Sequence, residues 1–334
     1  MSFNFLAMKS SRPPKNSFAA LALLGFTASA LANPDGMMVV SGNVGAILNG
    51  NTLDITASHN AVINWQSFNI GAGETTTFIQ PNNISVVWNR ITDQNPSQIW
   101  GHLNGNGIVV LMNQSGFYFG PNSSVNVGGF VAASAFVTPP ASVGGMWSYQ
   151  GPPPVASIIN YGEIKAANGG SIFLVAEKIE NHGVLTAPDG TLGLYAGKEV
   201  LISERPDGRG LSMGVALPEG SIDNLGKISA DAGEIALHAR VVNQGGIVQA
   251  NSVRERNGVV ELVASDELNL GATSVITANG DNGASAGGSV TLKSGGTFAD
   301  ADGSRVEVRG GAASGNGGDV EISAPTISEI HTRV

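Results

Sequence analysis

The chain has 334 residues, of which 42% are hydrophobic and 13% charged, with 46 Gly and no Cys. Its recurring Val, Ile and Leu argue against a disordered chain, which combines few apolar residues with a high net charge. The net charge of −9 argues against nucleic acid as a partner, because phosphate binding needs clustered Lys and Arg.

The N-terminus has the parts of a secretory signal peptide. Basic residues precede an apolar run at residues 18–31, and Ala30 and Ala32 have the A-x-A spacing of a cleavage site. The apolar run is shorter than the about 20 residues that span a membrane as a helix. We therefore predict a cleaved signal peptide at residues 1–32, a mature chain that begins at Asn33, and no stable transmembrane segment.

Two segments of different composition follow the signal peptide. Residues 33–138 are richer in aromatic side chains than the rest of the mature chain, and residues 139–154 contain Pro139-Pro140, Pro152-Pro153-Pro154 and paired Gly. The exposed end of a stacked β-structure needs a cap, so we expect residues 33–138 to provide one. Because Pro cannot donate a ladder hydrogen bond, residues 139–154 are predicted to form a projecting loop.

Two short repeats alternate along residues 155–334. The form Gly-x-φ-x-Leu-x-Ala, with φ apolar, occurs at residues 170–176, 190–196, 233–239 and 258–264. The form Asn-x-Gly-x-φ-x-Ala occurs at residues 160–166, 181–187 and 224–230. Apolar residues with a period of two indicate strands, so Ile172, Leu174 and Ala176 should point to the same side.

The direction and spacing of the repeats favour one all-β fold. Units bounded by Asn, Gly and Asp that recur at roughly 20 residues are typical of a coil whose turns stack on one another. An antiparallel sandwich would instead show strands paired by tight hairpins. We therefore predict a right-handed parallel β-helix (solenoid), with buried Asn side chains stacked between turns and residues 200–221 leaving the coil as a loop.

Three patterns were considered as sites of chemistry, and each has a simpler interpretation. Residues 283–287 match the nucleophile elbow Gly-x-Ser-x-Gly but lie in a Gly/Ala/Ser tract rather than a strand-to-helix turn. The five His residues lack the spacing of metal ligands. Asp223, Asp231 and Glu234, which a polysaccharide lyase could use, fit a solvated turn. We predict no enzyme activity, no cofactor and no metal site.

The segment from about Val40 to Ser134 resembles the haemagglutination-activity, or secretion, domain of two-partner-secreted exoproteins related to filamentous haemagglutinin. The resemblance rests on motifs that occur in family order: Phe68-Asn-Ile-Gly71, Phe78-Ile-Gln-Pro81, Trp88-Asn-Arg-Ile91, Asn95-Pro-Ser-Gln-Ile-Trp-Gly101, Asn106-Gly-Ile-Val-Val-Leu111, Phe119-Gly-Pro121 and residues 125–134. Where the family usually carries Asn-Pro-Asn-Gly-Ile, this chain reads Asn113-Gln-Ser-Gly-Phe117. The site keeps its turn-forming Asn and Gly but lacks the Pro that presets φ.

The resemblance implies export through a cognate outer-membrane β-barrel transporter, whose periplasmic domains capture the unfolded chain by strand addition. It also implies a secreted or cell-surface protein with an adhesin-type role toward a host or neighbouring cell. The residues expected to serve transporter recognition or the cap are Asn95, Pro96, Trp100, Asn113, Gly116, Phe117, Phe119, Gly120, Asn126 and Gly128. Two alternatives stay open: a carbohydrate-active β-helix lyase or hydrolase, and a truncated secretion-domain fragment without an effector, since family members usually continue further.

Overall fold

A computed structural model describes residues 33–136, 147–150, 156–197, 199–204, 211–215 and 218–334. The signal-peptide prediction for residues 1–32 lies outside the described residues. Residues Leu31–Val334 form one compact unit. The described residues contain strands, turns and bends but no helix, which confirms the prediction of an all-β fold.

The described residues form 32 strands. In chain order they are β1 Met38–Ser41, β2 Val44–Asn49, β3 Thr52–Ala57, β4 Ala61–Trp65, β5 Thr75–Ile79, β6 Val86–Ile91, β7 Ser97–Ile99, β8 His102–Gly105, β9 Ile108–Asn113, β10 Phe117–Phe119, β11 Ser124–Val127, β12 Gly129–Ala133, β13 Trp147–Gln150, β14 Ser157–Asn160, β15 Glu163–Ala166, β16 Ile172–Val175, β17 Lys178–Asn181, β18 Val184–Thr186, β19 Thr191–Tyr195, β20 Glu199–Glu204, β21 Leu211–Val215, β22 Ser221–Asn224, β23 Lys227–Ser229, β24 Glu234–Gln244, β25 Ile247–Gln249, β26 Val259–Leu270, β27 Val275–Thr277, β28 Ser289–Ser294, β29 Thr297–Asp300, β30 Arg305–Glu307, β31 Asp319–Ser323 and β32 Thr326–Ile327.

Successive turns of the chain stack their strands in parallel on three faces. Face A is an 11-stranded sheet in the order β2-β3-β5-β8-β11-β15-β18-β23-β25-β27-β30. Face B runs through β4, β6, β9, β12, β16, β19, the first halves of β24 and β26, β28 and β31. Face C runs through β7, β10, β14, β17, β22, the second halves of β24 and β26, β29 and β32. The predicted stack of parallel strands is therefore confirmed.

The spacing of equivalent residues gives the length of a turn. Asn160 and Asn181 occupy the same position 21 residues apart, and Asn224 and Gln244 lie 20 residues apart. Toward the C-terminus the spacing rises to 26 residues between Asn243 and Asn269, because the corners between faces A and B become longer. The spacing of roughly 20 residues expected from the repeats thus holds for the middle turns.

One hydrophobic core fills the coil. Ile172, Leu174 and Ala176 all belong to it, as the period-two pattern predicts. Phe173 and Val175 point to the other side of β16, yet they are also fully buried, in a second cluster on the outside of face B. Strand β16 is therefore buried on both of its sides. The second cluster contains Val62, Val86, Trp88, Val110, Met112, Val131, Ala133, Ala135, Phe173, Val175, Tyr195 and Ala236.

Two insertions leave the coil and pair with each other. Strands β13, β20 and β21 form a separate antiparallel sheet, and β21 contacts β19 of face B. The sequence predicted only loops for residues 139–154 and 200–221. The strands were missed because the Pro and Gly around Trp147–Gln150 masked a four-residue strand whose partner lies some fifty positions further on.

The repeats seen in the sequence correspond to ladders of side chains and close backbone contacts. The buried amides of Asn160, Asn181, Asn224 and Gln244 hydrogen bond in series over 2.8, 2.8 and 2.7 Å, which is the predicted Asn stack. The Gly that opens three of the Gly-x-φ-x-Leu-x-Ala units lies against the carbonyl oxygen of the Gly one turn before, as for Gly190 on Gly170, whereas Gly258 lies against the carbonyl of Ala250. A Cβ atom would clash there, so the repeat requires Gly.

Candidate functional site

Two of the secretion motifs, those that contain Asn95 and Asn113, meet at one corner between faces B and C, which we call the motif corner. Asn113 is fully buried, and its amide donates to the carbonyl of Asn95 at 3.1 Å and to Oγ of Ser97 at 3.0 Å. Its Oδ1 accepts from the backbone N–H of Ser115 at 2.9 Å, which closes an Asx turn. The corner of one turn is thus tied to the corner of the next by a single side chain, although the family's Pro is absent.

Gly116 completes this turn. Its φ is +95°, and a Cβ atom would meet the backbone carbonyl of Ser157 on the neighbouring strand. Its own carbonyl accepts from the N–H of Ser97 at 3.0 Å. Only Gly fits both the left-handed backbone and the close approach. The Gly retained in the altered motif therefore has a defined structural role.

The aromatic motif residues divide between the core and the outer wall of face C. Phe117 and Phe119 are buried and stacked with their centroids 6.1 Å apart, and Phe130 packs edge-on against Phe119 at 6.0 Å. Trp100 is half-buried at the corner after β7, 5.1 Å from the ring of Tyr118. Its indole lies where a Cβ on Gly120 would be. These side chains pack the first turns of the coil.

The ten predicted motif residues differ in exposure. Asn113, Gly116, Phe117, Phe119, Gly120 and Gly128 are buried, Trp100 is half-buried, and Asn95, Pro96 and Asn126 are exposed. Asn95 folds onto Asp93, whose Oδ1 accepts from its backbone and side-chain N–H groups at 2.9 and 3.0 Å. Asn126 lies apart from the corner, on the outer side of face A. In the folded chain most of the set shapes the cap and first turns, and a role in transporter recognition stays a prediction.

The N-terminal end of the coil is closed by antiparallel strands. Strand β1 pairs with β4, and β2 pairs with β3, so β1 and β2 are edge strands of their sheets. Apolar side chains on them are exposed, with Ile47 at 71% and Leu48 at 64%. Unpaired edges of this kind accept additional strands. The cap thus carries an apolar edge surface of the kind that strand addition uses.

Two buried polar residues of the early turns were not singled out from the sequence. The side chain of Asn89 accepts from the indole N–H of Trp65 at 2.9 Å and donates to the carbonyl of Val110 at 3.1 Å. Gln80 donates to the carbonyl of Ser85 at 2.6 Å. Asn89 falls within the Trp88-Asn-Arg-Ile91 motif, and its position between apolar residues of a strand was the signal that it points into the core.

Two of the residues weighed for catalysis, Ser285 and Asp231, are each held in a turn or corner. Ser285 is buried, and its Oγ donates to Oδ1 of Asp281 at 2.8 Å within a turn between β27 and β28. The Asp281 pKa is lowered by the hydrogen bonds that it accepts, first from the Arg254 backbone and then from Ser285. Asp231 is held at a corner by Gln249 at 2.8 Å. A carboxylate so occupied acts as a turn former.

A cluster of titratable groups lies on the outside of face B. Burial raises the pKa of the Tyr195 phenol, and the nearby carboxylates add to this effect. The nearby His238, whose Nε2 lies 3.8 Å from a carboxylate oxygen of Glu261, lowers the pKa of Glu261 against the opposing effect of burial. The ring of His238 lies 5.3 Å from that of Tyr195 and packs against it edge-on. These groups extend the second hydrophobic cluster with polar contacts.

The residues described in the structure offer no metal centre and no membrane-spanning helix. Within the described ranges, no three His, Cys, Asp or Glu side chains converge to hold a metal ion. In the same part of the chain no helix is long and apolar enough to cross a membrane.

Comparison with known proteins relates the chain to secretion domains. The family model "TPS secretion domain", for two-partner secretion, matches residues 28–266. The heme/hemopexin-binding protein of Haemophilus influenzae is 30% identical over 265 residues, which cover 72% of this chain and 28% of that protein. The crystal structure of the HMW1 secretion domain from the same species is 26% identical, with a TM-score of 0.73 over 90% of this chain and 97% of that domain.

The length over which each relative matches determines which of its properties apply to this chain. This chain spans only 28% of the length of the first curated relative, so the relative's whole activity does not follow from the match. The solved secretion domain, in contrast, is matched over nearly all of its length. The family model covers more than half of this chain and includes the cap, the motif corner and most of the coil. The chain therefore belongs to the family of TPS secretion domains, the export-directing domains of two-partner secretion exoproteins.

Proposed function

We propose that this chain directs the export of a two-partner-secreted exoprotein through a cognate outer-membrane β-barrel transporter to the cell surface or medium. The observation that carries the proposal is the secretion-domain match over residues 28–266, together with the fold shared with a solved secretion domain. Surface and secreted roles both require the chain to cross the inner membrane first. A cleavable signal peptide at residues 1–32 supplies that step.

The contacts of Asn33 support a mature chain that begins there. Its amide donates to the carbonyl of Asn51 at 3.1 Å, and its Oδ1 accepts from the hydroxyl of Thr76 at 3.0 Å. Asn33 is 9% exposed. Cleavage after Ala32 leaves these cap contacts intact. Mass spectrometry of the exported protein should find Asn33 as the first residue, and an N-terminus at residue 1 would contradict the proposed cleavage.

Capture by the transporter is proposed to use strand addition at its periplasmic domains. The alternating apolar segments of the cap are suited to this mode, because an added strand gains main-chain hydrogen bonds and buries alternate side chains. Once outside, each finished turn offers an edge on which the next one folds. We infer that the coil is right-handed, since crossover connections between parallel strands almost always are.

The capture step is tested with the purified periplasmic domains of the cognate transporter. The double variant Ile47→Lys/Leu48→Lys places charges on the apolar edge of β2, at positions 71% and 64% exposed, where the fold tolerates them. We expect its binding to weaken by about tenfold or more, the equivalent of at least 1.4 kcal/mol. The control Ile330→Lys changes a residue 49% exposed at the opposite end and should bind normally. Equal binding by all three proteins would contradict capture through the cap.

An effector role at a host or neighbouring-cell surface is proposed for the whole exoprotein, as an adhesin. The Haemophilus influenzae relative is named for binding heme and hemopexin, which supplies a second candidate. A binding assay distinguishes adhesion from heme or hemopexin binding. Retention of the exported protein by host or bacterial cells supports adhesion, whereas retention by immobilised heme or hemopexin, without binding to cells, supports the second candidate.

A further inference from the structure

A groove runs along the outer side of face C, away from the motif corner. It has a volume of about 420 Å³, within the usual range for small-ligand sites. Its walls come from β17, β22, β24 and β26 and from the corners that follow them. The lining includes the Lys178–Glu180 ion pair, His182, Asp223, Leu225, Asn243 and Asn269.

The floor of the groove is a ladder of polar side chains in register on adjacent strands. Glu180, Asp223, Asn243 and Asn269 are successive partners in the parallel pairing. The Asn269 amide donates to Asn243 Oδ1 at 2.9 Å, and the Asn243 amide donates to Asp223 Oδ1 at 2.6 Å. Such series bonding fixes each group in a single orientation. Neighbouring rungs lie about 4.8 Å apart, the spacing of paired strands.

These bonds leave part of each group free toward the groove. One amide hydrogen of Asn243, Oδ1 of Asn269 and Oδ2 of Asp223 have no protein partner among the described residues. The side chains are half-buried, so the groups face solvent inside a concave surface. With the second amide hydrogen of Asn269, the floor therefore presents two donors and two acceptors, already held in place.

One wall of the groove is apolar. Leu225 is 62% exposed. Next to it His182 stacks on the ring of Tyr161 with centroids 4.5 Å apart and an angle of 7° between the planes. Tyr161 in turn lies 5.9 Å from Tyr118, so the wall continues toward the N-terminal turns. An exposed Leu beside stacked rings, facing a hydrogen-bonding floor, is an amphipathic site.

The chemistry of the groove selects the class of ligand. Glu180 is paired with Lys178 at 2.6 Å, and Asp223 adds a second carboxylate, so the lining carries a net negative charge that disfavours sulphated chains and nucleic acid. A peptide could not add as a strand, because β17, β22 and β24 already have partners on both sides. A pyranose chain fits both walls: its hydroxyls pair with amides and carboxylates, its C–H faces pack on apolar side chains, and its repeat is close to the strand spacing.

We propose that the face C groove binds an uncharged pyranose oligosaccharide along the coil axis. Asp223, Asn243 and Asn269 accept and donate hydrogen bonds to successive hydroxyl groups, and Leu225 with His182 packs against the sugar faces. The site is separate from the cap and the motif corner. Glycan binding is therefore independent of the export role, and the groove variants should be exported normally.

The test is a titration of the purified mature chain with neutral hexasaccharides of β-linked glucose, β-linked N-acetylglucosamine and α-linked glucose, and with a sulphated hexasaccharide. At least one neutral chain should bind, and more tightly than the sulphated one. The double variant Asn243→Ala/Asn269→Ala should weaken binding by about tenfold or more, because the hydrogen bonds of two floor side chains to the sugar are lost.

A matched control separates the groove from general surface effects. Asn104→Ala/Asn126→Ala removes two amides that are register partners on adjacent strands of face A, and its affinity should equal that of the unaltered chain. Far-UV circular dichroism checks that both variants keep the fold. The proposal is overturned if no neutral hexasaccharide binds, if the sulphated chain binds best, or if the groove and control variants bind equally.

Discussion

The buried amide ladder offers a sharp test of how the coil is held together, through the substitution Asn181→Ala. Asn181 is fully buried, accepts from the Asn160 amide at 2.8 Å and donates to Asn224 Oδ1 at 2.8 Å. Alanine leaves one donor and one acceptor without a partner inside the core. Each such group costs about 1–3 kcal/mol, so we expect the free energy of unfolding to fall by about 2–6 kcal/mol.

Urea unfolding of the purified mature chain, followed by far-UV circular dichroism, measures this loss from the shift in midpoint at constant m value. The matched control is Asn126→Ala, which removes an exposed Asn of face A and should change stability by less than about 0.5 kcal/mol. If the two variants differ by less than about 1 kcal/mol, the ladder does not stabilise the coil as argued.

Three further outcomes are expected. Gly116→Ala should lower the unfolding free energy by about 2 kcal/mol or more, because φ is +95° and the new Cβ meets the Ser157 carbonyl. The control Gly50→Ala, at φ +57° in open space, should lower it by only about 1 kcal/mol. Equal losses in the two variants would refute the role of the close contact. Gly120→Val should displace the Trp100 indole and shift tryptophan emission to longer wavelength, whereas an unchanged spectrum would contradict the packing described. The docking of the last residues on β30 should depend on pH. Burial alone would raise the pKa of Asp300, but hydrogen bonds from Thr332 and His331 outweigh burial and lower that pKa below 3.8. The hydrogen bond to Asp300, with Glu329 and Asp302 nearby, raises the pKa of His331 above 6.5. The Asp300 contribution is lost as pH falls through its lowered pKa and the His331 contribution is lost as pH rises through its raised pKa, so hydrogen-exchange protection of the Val306 amide should be greatest between about pH 4 and pH 6.5 and flatten in Asp300→Asn.

The fold could be inferred from sequence because each repeat corresponds to a local physical requirement. Gly190 and its equivalents are needed where one corner lies against the carbonyl of the turn before, and Asn181 and its equivalents are needed where an amide is buried. Each of these two requirements places the same residue type at the same position of successive turns. Period-two apolarity then identifies the inward side chains, as for Ile172 and Leu174.

Features that depend on distant pairing could not be inferred in the same way. Strand β13 finds its partner β20 across several turns of the coil, and nothing local to Trp147–Gln150 specifies that partner. Burial of Phe173 on the outer side of face B also depends on contacts beyond its own strand. The groove on face C could not be inferred from the sequence, because Asp223, Asn243 and Asn269 are far apart in sequence and come together only through strand register.

Resemblance to a family identifies the motif residues but does not show which of them the transporter recognises. Asn113, Gly116, Phe117 and Phe119 are buried and build the corner, so their presence in the sequence is explained by folding alone. Residues that shape the folded cap can still be bound by a transporter while the chain is extended and unfolded. Binding measurements on edge variants and corner variants can separate these two roles.

The export role is tested most directly by secretion of the full chain in cells that express the cognate transporter and in cells that lack it. With the transporter, the protein should appear outside the cell with Asn33 as its first residue. Without it, the same mature protein should accumulate in the periplasm. Equal amounts outside both kinds of cell would contradict the account of this chain as a two-partner secretion domain.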